Sequence, residues 1–223
     1  MNTEIGQRLK ITRGRLLTAA TIGVLIIAVD FVLIYWGYYH TSVQGRGAIA
    51  ILGLVAYVRL VDGHLPSIGL RLTPVQGWWY WCRIAFYLGM ILLALGLLVS
   101  AIWMIIVGEL PKVHTVQPDA IVPSFIRMCI FTPVLEETTY RLILCVPLAI
   151  ILGPWLTVVL SGIVFGALHF AYGNPGMDNM LAGFILTWSF LKSGSLAIPV
   201  ILHSLGNLFI LLMSIGSWYL LNS

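Results

Sequence analysis

The chain has few charged residues, since Asp, Glu, Lys and Arg together make up 9% of its 223 residues. Ordinary soluble domains carry roughly 25%, so we expect no soluble catalytic domain in this sequence, and we expect any chemistry to use side chains at or inside a bilayer. Cysteine is also scarce. Cys82, Cys129 and Cys145 show no CxxC spacing, and their odd number argues against a disulfide framework. We expect them to be packing residues.

Apolar residues are abundant, at 60% of the chain, and the mean hydropathy is +0.99. A membrane-spanning helix needs about 20 such residues, and apolar stretches recur along nearly the whole length. We therefore predict an all-α, polytopic transmembrane bundle of roughly six to eight spanning or re-entrant helices around an intramembrane polar cavity. Residues 1–107 are expected to form the N-terminal helices of this one membrane domain, and residues 108–223 the helices that carry the unusual polar residues.

Four basic residues precede the first apolar run, namely Arg8, Lys10, Arg13 and Arg15. The run over residues 16–36 is too long for a signal-peptide core and lacks a small-residue cleavage site, so we expect a retained span. By the positive-inside rule the N-terminus is expected to be cytoplasmic, in a prokaryotic cell membrane. The net charge of +4 comes largely from this cluster, so we expect membrane lipids as partners and no nucleic acid.

The remaining apolar runs predict further helices. A short run covers residues 48–60, after a polar connection at residues 41–46, and a long one covers residues 78–107. In the second half we predict helices over residues 124–152, 155–171 and 178–191 and from residue 196 onward. The first of these is expected to be kinked or broken near Pro133 and Pro147, and a turn is predicted at residues 173–176.

Ionisable residues inside apolar helices are costly and usually face a cavity or a partner. Glu136 and Glu137 project about 100° apart on a helix. Glu137 lies four residues before Arg141, which is the favourable orientation for an ion pair. Glu136 is then predicted to lack a cation, with the Tyr140 hydroxyl in reach, and such a carboxylate suits a general base or acid. The alternative is that both glutamates only hold helices together.

Two further pairs lie four residues apart and share a helix face: Phe165 with His169, and His203 with Asn207. A lone histidine in a helix is more often a satisfied polar residue than a ligand, but His203 and Asn207 offer an imidazole and an amide to one point. Glu136 and His169 each lie about 23 Å from the turn at residues 153–154, and His203 comes within about two helical turns of His169. We predict that the groups converge.

Such a cluster suits hydrolysis of a peptide bond. A carboxylate can take a proton from water, while imidazole and amide groups polarise the water or the carbonyl, directly or through Zn²⁺. His169 and His203 are candidate zinc ligands, although an amide is a weak ligand and the HExxH spacing of soluble zinc peptidases is absent. Both a zinc site and a metal-independent glutamate mechanism stay open.

The motifs Glu136-Glu137-x-x-x-Arg141, Phe165-x-x-x-His169 and His203-x-x-x-Asn207 occur in this order at intervals of about 33 residues. In this arrangement they resemble those of the CPBP intramembrane proteases. That family takes in the type II CAAX prenyl endopeptidases and the bacteriocin-processing or self-immunity proteins, also called the Abi family. The resemblance covers about residues 123–212. Leu142 departs from the pattern, because many members carry Gly after the arginine.

The resemblance implies an intramembrane glutamate or metallo-endopeptidase whose substrate is a peptide or a prenylated or otherwise lipidated protein. By position, Glu136 resembles the general base that activates water, and His169 completes the site. His203 and Asn207 resemble the pair that stabilises the oxyanion or helps to bind metal. Supporting roles are implied for Glu137 and Arg141, and we expect one for Tyr140.

Two other function classes compete with this hypothesis. One is a non-catalytic self-immunity or scaffold protein that keeps the fold. The other is a proton-coupled transporter in which Glu136 and the histidines form a relay, although no paired broken helices or inverted repeats are visible. Asp30, a single acid within the first apolar run, is expected to face the bundle or the interface without a role in the site.

Overall fold

The computed structural model describes residues 5–35, 39–108, 115–171, 173 and 177–222. Within these residues the chain forms seven long helices and no strand, which confirms the predicted all-α helical bundle. The predicted polar cavity stays a prediction. Trp36 and residues 174–176 of the predicted turn lie outside the described residues. The helices are α1 (Arg13–Tyr35), α2 (Tyr39–Leu60), α3 (Trp78–Val107), α4 (residues 121–151), α5 (Pro154–Ala171), α6 (Met177–Ser193) and α7 (Ala197–Asn222).

Four of the described helices, α1, α3, α5 and α7, are long and apolar enough to cross a membrane. Their length and apolar composition indicate a membrane protein. The predicted polar connection at residues 41–46 is wrong, because α2 already begins at Tyr39. Arg46 is buried within this helix and pairs with an acid of α1, so a charge that suggested a loop belongs to the helical bundle.

Helix α4 alternates between α-helical and π-helical turns. Ile126–Phe131 and Thr138–Leu144 are π-helical, and each is followed by an α-helical segment that contains Pro133 or Pro147. Proline lacks the backbone N–H, and its ring crowds the carbonyl four residues earlier, whereas a π turn is wider and relieves that crowding. The sequence predicted a kink or a break near these prolines; the chain stays helical through both and is not broken, and each proline follows a π-helical segment.

Tyr57 of α2 compensates for the donor that Pro147 lacks. An α-turn would direct the N–H of residue 147 at the Ile143 carbonyl, but proline has none. The Tyr57 hydroxyl lies 2.6 Å from Ile143 O and 2.8 Å from Ala19 O, fully buried, so its one proton serves carbonyls of α4 and α1. Around it, apolar side chains of α4 and α6 pack into the main core.

The turn between α4 and α5 is made by Gly153, whose φ of 77° is a left-handed conformation that glycine adopts without strain. Helix α5 then packs closely on α6 through small residues. A Cβ on Gly162 would overlap the Phe184 ring, and one on Gly183 would lie 2.9 Å from the Gly162 Cα. Thr187 Oγ1 also lies 2.9 Å from Ser161 Oγ. Small residues and hydroxyl pairs are typical of helix contacts in membranes.

The chain forms two compact units. The first comprises the described residues of Met1–Val75 and Pro133–Ile201, and the second those of Gln76–Thr132 and Leu202–Ser223. These units interleave along the chain, and the division at residues 107 and 108 stays a prediction. All three cysteines are free thiols. Cys129 and Cys145 are buried, as a packing role requires, whereas this expectation is wrong for the exposed Cys82.

Candidate active site

The glutamate motif lies in the most enclosed part of α4, where every residue from 136 to 147 is buried. Glu136 is 3% exposed and Glu137 0%. Ionisable groups on membrane helices turn away from lipid unless they reach the interface, so their burial here indicates partners within the first compact unit. The partners of the two glutamates differ.

Glu137 pairs with Arg141, as the four-residue spacing predicts. Arg141 Nε lies 2.9 Å from Glu137 Oε2, and both side chains are fully buried. The guanidinium carbon also lies 4.6 Å from the centre of the Phe165 ring, a distance typical of cation–π contacts. Within the described ranges the terminal nitrogens Nη1 and Nη2 have no hydrogen-bond partner. This charge is therefore neutralised mainly by Glu137.

Glu136 does have a cation, so the prediction that it lacks one is wrong. Arg46 Nη2, from α2, lies 3.6 Å from Glu136 Oε1. The same guanidinium forms a two-pronged contact with Asp30 of α1, at 2.5 Å from Nε and 3.2 Å from Nη2. The second Glu136 oxygen, Oε2, is buried and has no hydrogen-bond partner among the described residues. The carboxylate thus has an ion-pair partner at Oε1, whereas the buried Oε2 has no hydrogen-bond partner among the described residues.

The sequence suggested that the Tyr140 hydroxyl bonds to Glu136. In the structure this hydroxyl donates its hydrogen bond to Asp30 instead. Asp30 is 1% exposed, and its carboxylate accepts bonds from both Tyr140 and Arg46. Asp30 thus faces the bundle, as expected, and belongs to a polar network with Arg46 and Tyr140 next to the glutamate motif. An acid within an apolar run was the sequence signal that Asp30 needs a partner. That partner, Arg46, was missed because residues 41–46 were interpreted as a polar connection.

His169 is oriented by the turn of α5 that precedes it. Its Nδ1 lies 2.9 Å from the Phe165 carbonyl, which can only accept a hydrogen bond. Nδ1 is consequently the protonated nitrogen, and in the neutral ring Nε2 carries the lone pair. The imidazole also stacks against the Phe165 ring, with 4.5 Å between ring centres. The side chain is half-buried.

Phe165 joins the glutamate motif to the histidine. Its ring meets Tyr140 edge-on, with 5.7 Å between centres, and it also contacts Arg141 and His169. Tyr140 and Phe165 lie at similar distances before and after the Gly153 turn, so their contact agrees with the predicted match in depth between α4 and α5. Sequence reasoning noted Phe165 only as the partner of His169 and missed this bridging position.

Asn207 and His203 lie on α7 within the second compact unit. Asn207 Nδ2 donates to the Met128 carbonyl at 2.7 Å. That carbonyl has no backbone donor of its own, because the Thr132 N–H bonds to Arg127 O and residue 133 is proline. Asn207 therefore supplies a hydrogen bond to a carbonyl that the π turn and Pro133 leave without a backbone donor. His203 is half-buried, and its convergence with Glu136 and His169 stays a prediction.

A structural zinc site usually has four protein ligands and a catalytic one three. Among the described residues, no group of three or more His, Cys, Asp or Glu side chains is arranged to hold a metal ion. The described side chains thus do not form a zinc ligand set, and zinc binding through His169 and His203 stays a prediction.

Comparison with known proteins gives one match. A family model described as type II CAAX prenyl endopeptidase Rce1-like matches residues 118–209. No curated protein and no solved structure was found to match the chain. The matched region includes every site residue proposed from the sequence, whereas Asp30 and Arg46 lie outside it.

Proposed function

Since residues 118–209 match the model of the type II CAAX prenyl endopeptidase Rce1-like family, we propose that Glu136 activates a water molecule for hydrolysis of a peptide bond. The family implies a protease, hence a hydrolase, of the CAAX-type intramembrane class. The proposed substrate is a lipidated or otherwise membrane-delivered peptide, and the proposed surroundings are membrane lipids.

This proposal is supported mainly by the burial of the Glu136 carboxylate and by the missing hydrogen-bond partner of its Oε2. It is buried, it lies in the matched region, and its Oε2 has no hydrogen-bond partner in the part of the chain that the structure describes. A buried carboxylate oxygen without a donor is costly unless something fills the position. A water molecule that donates to Oε2 would satisfy this oxygen and would be placed next to its base.

The proposed reaction follows general base catalysis. Glu136 takes a proton from water while the water oxygen attacks the carbonyl carbon of the scissile peptide bond. The carbonyl oxygen becomes an oxyanion in the tetrahedral intermediate. Glu136 then returns the proton to the amide nitrogen, the C–N bond breaks, and a carboxylic acid and an amine are released. Each proton and each bond is accounted for without another reactant.

His169 and the α7 pair are proposed to support this reaction. With Nδ1 donating to the Phe165 carbonyl, the neutral His169 ring offers Nε2 as an acceptor for a second water proton or for the leaving group. For His203 and Asn207 the support is the family motif, which assigns them to the oxyanion. Asn207 Nδ2 carries a second N–H beside the one given to Met128, and that donor suits an oxyanion.

The test is replacement of Glu136 in the full chain, reconstituted in lipid vesicles. The probe is a farnesylated peptide ending in a CAAX sequence, with a fluorophore and a quencher on either side of the scissile bond. We expect Glu136→Gln to lower kcat about 1,000-fold, within the range of general base catalysis. Asp119→Asn is the matched control, because it neutralises an exposed acid in the same matched region, and it should leave kcat unchanged.

The alternatives give different results in the same vesicles. Undiminished cleavage by Glu136→Gln would refute the glutamate mechanism. A protein that moves protons and cleaves no peptide would be a transporter, and one whose Glu136→Gln variant still protects cells would be an immunity protein. The zinc hypothesis is tested by the metal content of the purified protein: stoichiometric zinc that disappears in His169→Ala would support it.

A further inference from the structure

Arg46 lies between two buried carboxylates that are 106 residues apart in the sequence. Asp30 of α1 and Glu136 of α4 are 1% and 3% exposed, and Arg46 itself is 7% exposed. All three belong to the first compact unit. No other cation is recorded within ion-pair distance of either carboxylate in the described ranges. Arg46 is thus the cation that the two acids share.

The two contacts of Arg46 are unequal. Its planar fork meets Asp30 through two nitrogens, at 2.5 and 3.2 Å, which is the bidentate geometry for which arginine is suited. Glu136 receives only the longer 3.6 Å approach of Nη2. Arg46 is therefore anchored on Asp30, and it attracts Glu136 without enclosing its carboxylate. Oε2 of Glu136 is not bound by Arg46 and has no hydrogen-bond partner among the described residues.

Asp30 is in turn held by the site helix. Tyr140, one turn after Glu136 on α4, donates its hydroxyl to Asp30. Tyr140 is fully buried and packs with Ile34 of α1 and Phe165 of α5. The orientation of the guanidinium is thus determined by Asp30, and the position of Asp30 by the same segment that carries Glu136.

We propose that Arg46 is a positioning residue for the catalytic carboxylate of Glu136 and that Asp30 holds Arg46 for this purpose. This inference rests on the proposed function. It extends the catalytic unit to α1 and α2, which lie outside residues 118–209. Arg46 limits the rotation of the Glu136 carboxylate, so that Oε2 meets water in one geometry, a requirement that affects the rate more than substrate binding.

The charges around Glu136 allow a controlled experiment. Asp30 and Arg46 face it from α1 and α2, the Glu137–Arg141 pair and Tyr140 lie on α4 itself, and His169 lies on α5. With Asp30, Arg46 and Glu136 ionised the triad has a net charge of −1. Removal of Arg46 alone leaves two buried acids without a cation, which threatens folding. Removal of Arg46 and Asp30 together keeps the net charge at −1.

The experiment measures kcat and KM with the farnesylated reporter peptide in vesicles for Arg46→Gln, Arg46→Lys, Asp30→Asn/Arg46→Gln and Glu136→Gln. We expect Arg46→Gln and the double variant to lower kcat about 100-fold with KM within about threefold, because misplacement by about 1 Å has an effect of that size. Arg46→Lys should recover at least about tenfold of the loss, since it restores the charge without the fork. Arg59→Gln, at the exposed end of the same helix, is the control and should match the wild type.

The outcomes separate this inference from the proposed function. If Glu136→Gln is inactive while the folded double variant keeps kcat within about threefold of the wild type, the positioning role is wrong and the proposed function stands. If Glu136→Gln cleaves at the wild-type rate, or the wild type cleaves nothing, the proposed function fails and the inference fails with it. Loss of activity in the double variant, with partial recovery by Arg46→Lys, supports the inference.

Discussion

In soluble proteins apolar segments are usually buried and charged segments exposed. Helix α3 and residues 136–147 of α4 show the opposite arrangement. Helix α3 has the highest mean hydropathy of the four candidate spans, yet no residue of its most apolar window is buried. Residues 136–147 include two glutamates and an arginine and are all buried. Lipid solvates apolar side chains as well as a protein core does, whereas it cannot solvate ionised groups. In this comparison the segment with the charged residues is buried, and the most apolar helix is exposed.

The largest effect is expected where this contrast is most extreme, at Arg141. Arg141→Leu leaves the Glu137 carboxylate buried without its cation, and removal of one partner of a buried ion pair typically costs about 3–5 kcal/mol. We expect little folded protein in detergent, as measured by the thermal unfolding midpoint. Glu137→Leu/Arg141→Leu should recover much of the loss, because no unpaired charge remains. Leu97→Ala on α3, where Leu97 is 64% exposed, should change stability by less than about 0.5 kcal/mol.

Adding a methyl group at a glycine should likewise affect stability in the buried region and not on α3. Gly162→Ala places a Cβ against the Phe184 ring, whereas Gly96→Ala on α3 places one in open space. Overpacking of this kind costs about 1–3 kcal/mol, so Gly162→Ala should lower the unfolding midpoint and Gly96→Ala should not. An equal effect of the two substitutions would mean that α5 and α6 do not pack as described.

A smaller effect is expected for the hydrogen bond of Asn207. Asn207→Ala leaves the Met128 carbonyl without a donor, which costs about 1–2 kcal/mol for a half-buried group. The added substitution Pro133→Ala supplies a backbone N–H next to that carbonyl, so Asn207→Ala/Pro133→Ala should be more stable than Asn207→Ala alone. Equilibrium unfolding of the four proteins of this cycle measures the coupling. Additive effects would show that the proline is not the cause of the orphaned carbonyl.

The smallest effect is expected at the exposed pair of Arg15 and Asp62, which lie 2.5 Å apart. The hydrogen bond from Arg15 holds the pKa of Asp62 below its ordinary value of 3.8. A carboxyl whose folded-state pKa is lowered stabilises the protein above its unfolded-state pKa and loses that contribution as the pH falls through the lowered value. The difference in unfolding midpoint between wild type and Asp62→Asn should therefore be small near pH 7 and in salt, and it should vanish in acid below the lowered pKa.

Much of the fold follows from composition and short-range pattern. The run over residues 78–107 coincides with α3, and the predicted helices over residues 155–171 and 178–191 differ from α5 and α6 by one or two residues. Apolar runs and turn residues are local signals, and helix ends depend mainly on them. At Pro133 and Pro147, where a kink or a break was expected, the chain stays helical. Wider π turns and the donors Asn207 and Tyr57 compensate for the missing N–H groups.

Within the candidate site, the contacts that spacing predicts correctly are those between residues four apart on one helix. Glu137 with Arg141 and Phe165 with His169 are both of this kind, because the helical repeat places such residues side by side whatever the tertiary fold. The sequence therefore determined the Glu137–Arg141 ion pair, the shared helix face of Phe165 and His169, and the resemblance of about residues 123–212 to a protease family. It also determined that the chain is a helical membrane protein, because so few of its residues are charged.

Only the tertiary structure decided which groups surround Glu136. Asp30 and Arg46 are separated from it by about 100 and 90 residues of chain, and Tyr140 bonds to Asp30 instead of to the glutamate one turn away. These contacts depend on how α1 and α2 pack against α4, for which no repeat in the sequence is a signal. A charge in an apolar run shows that a partner is needed, but the identity of that partner is fixed by helix packing.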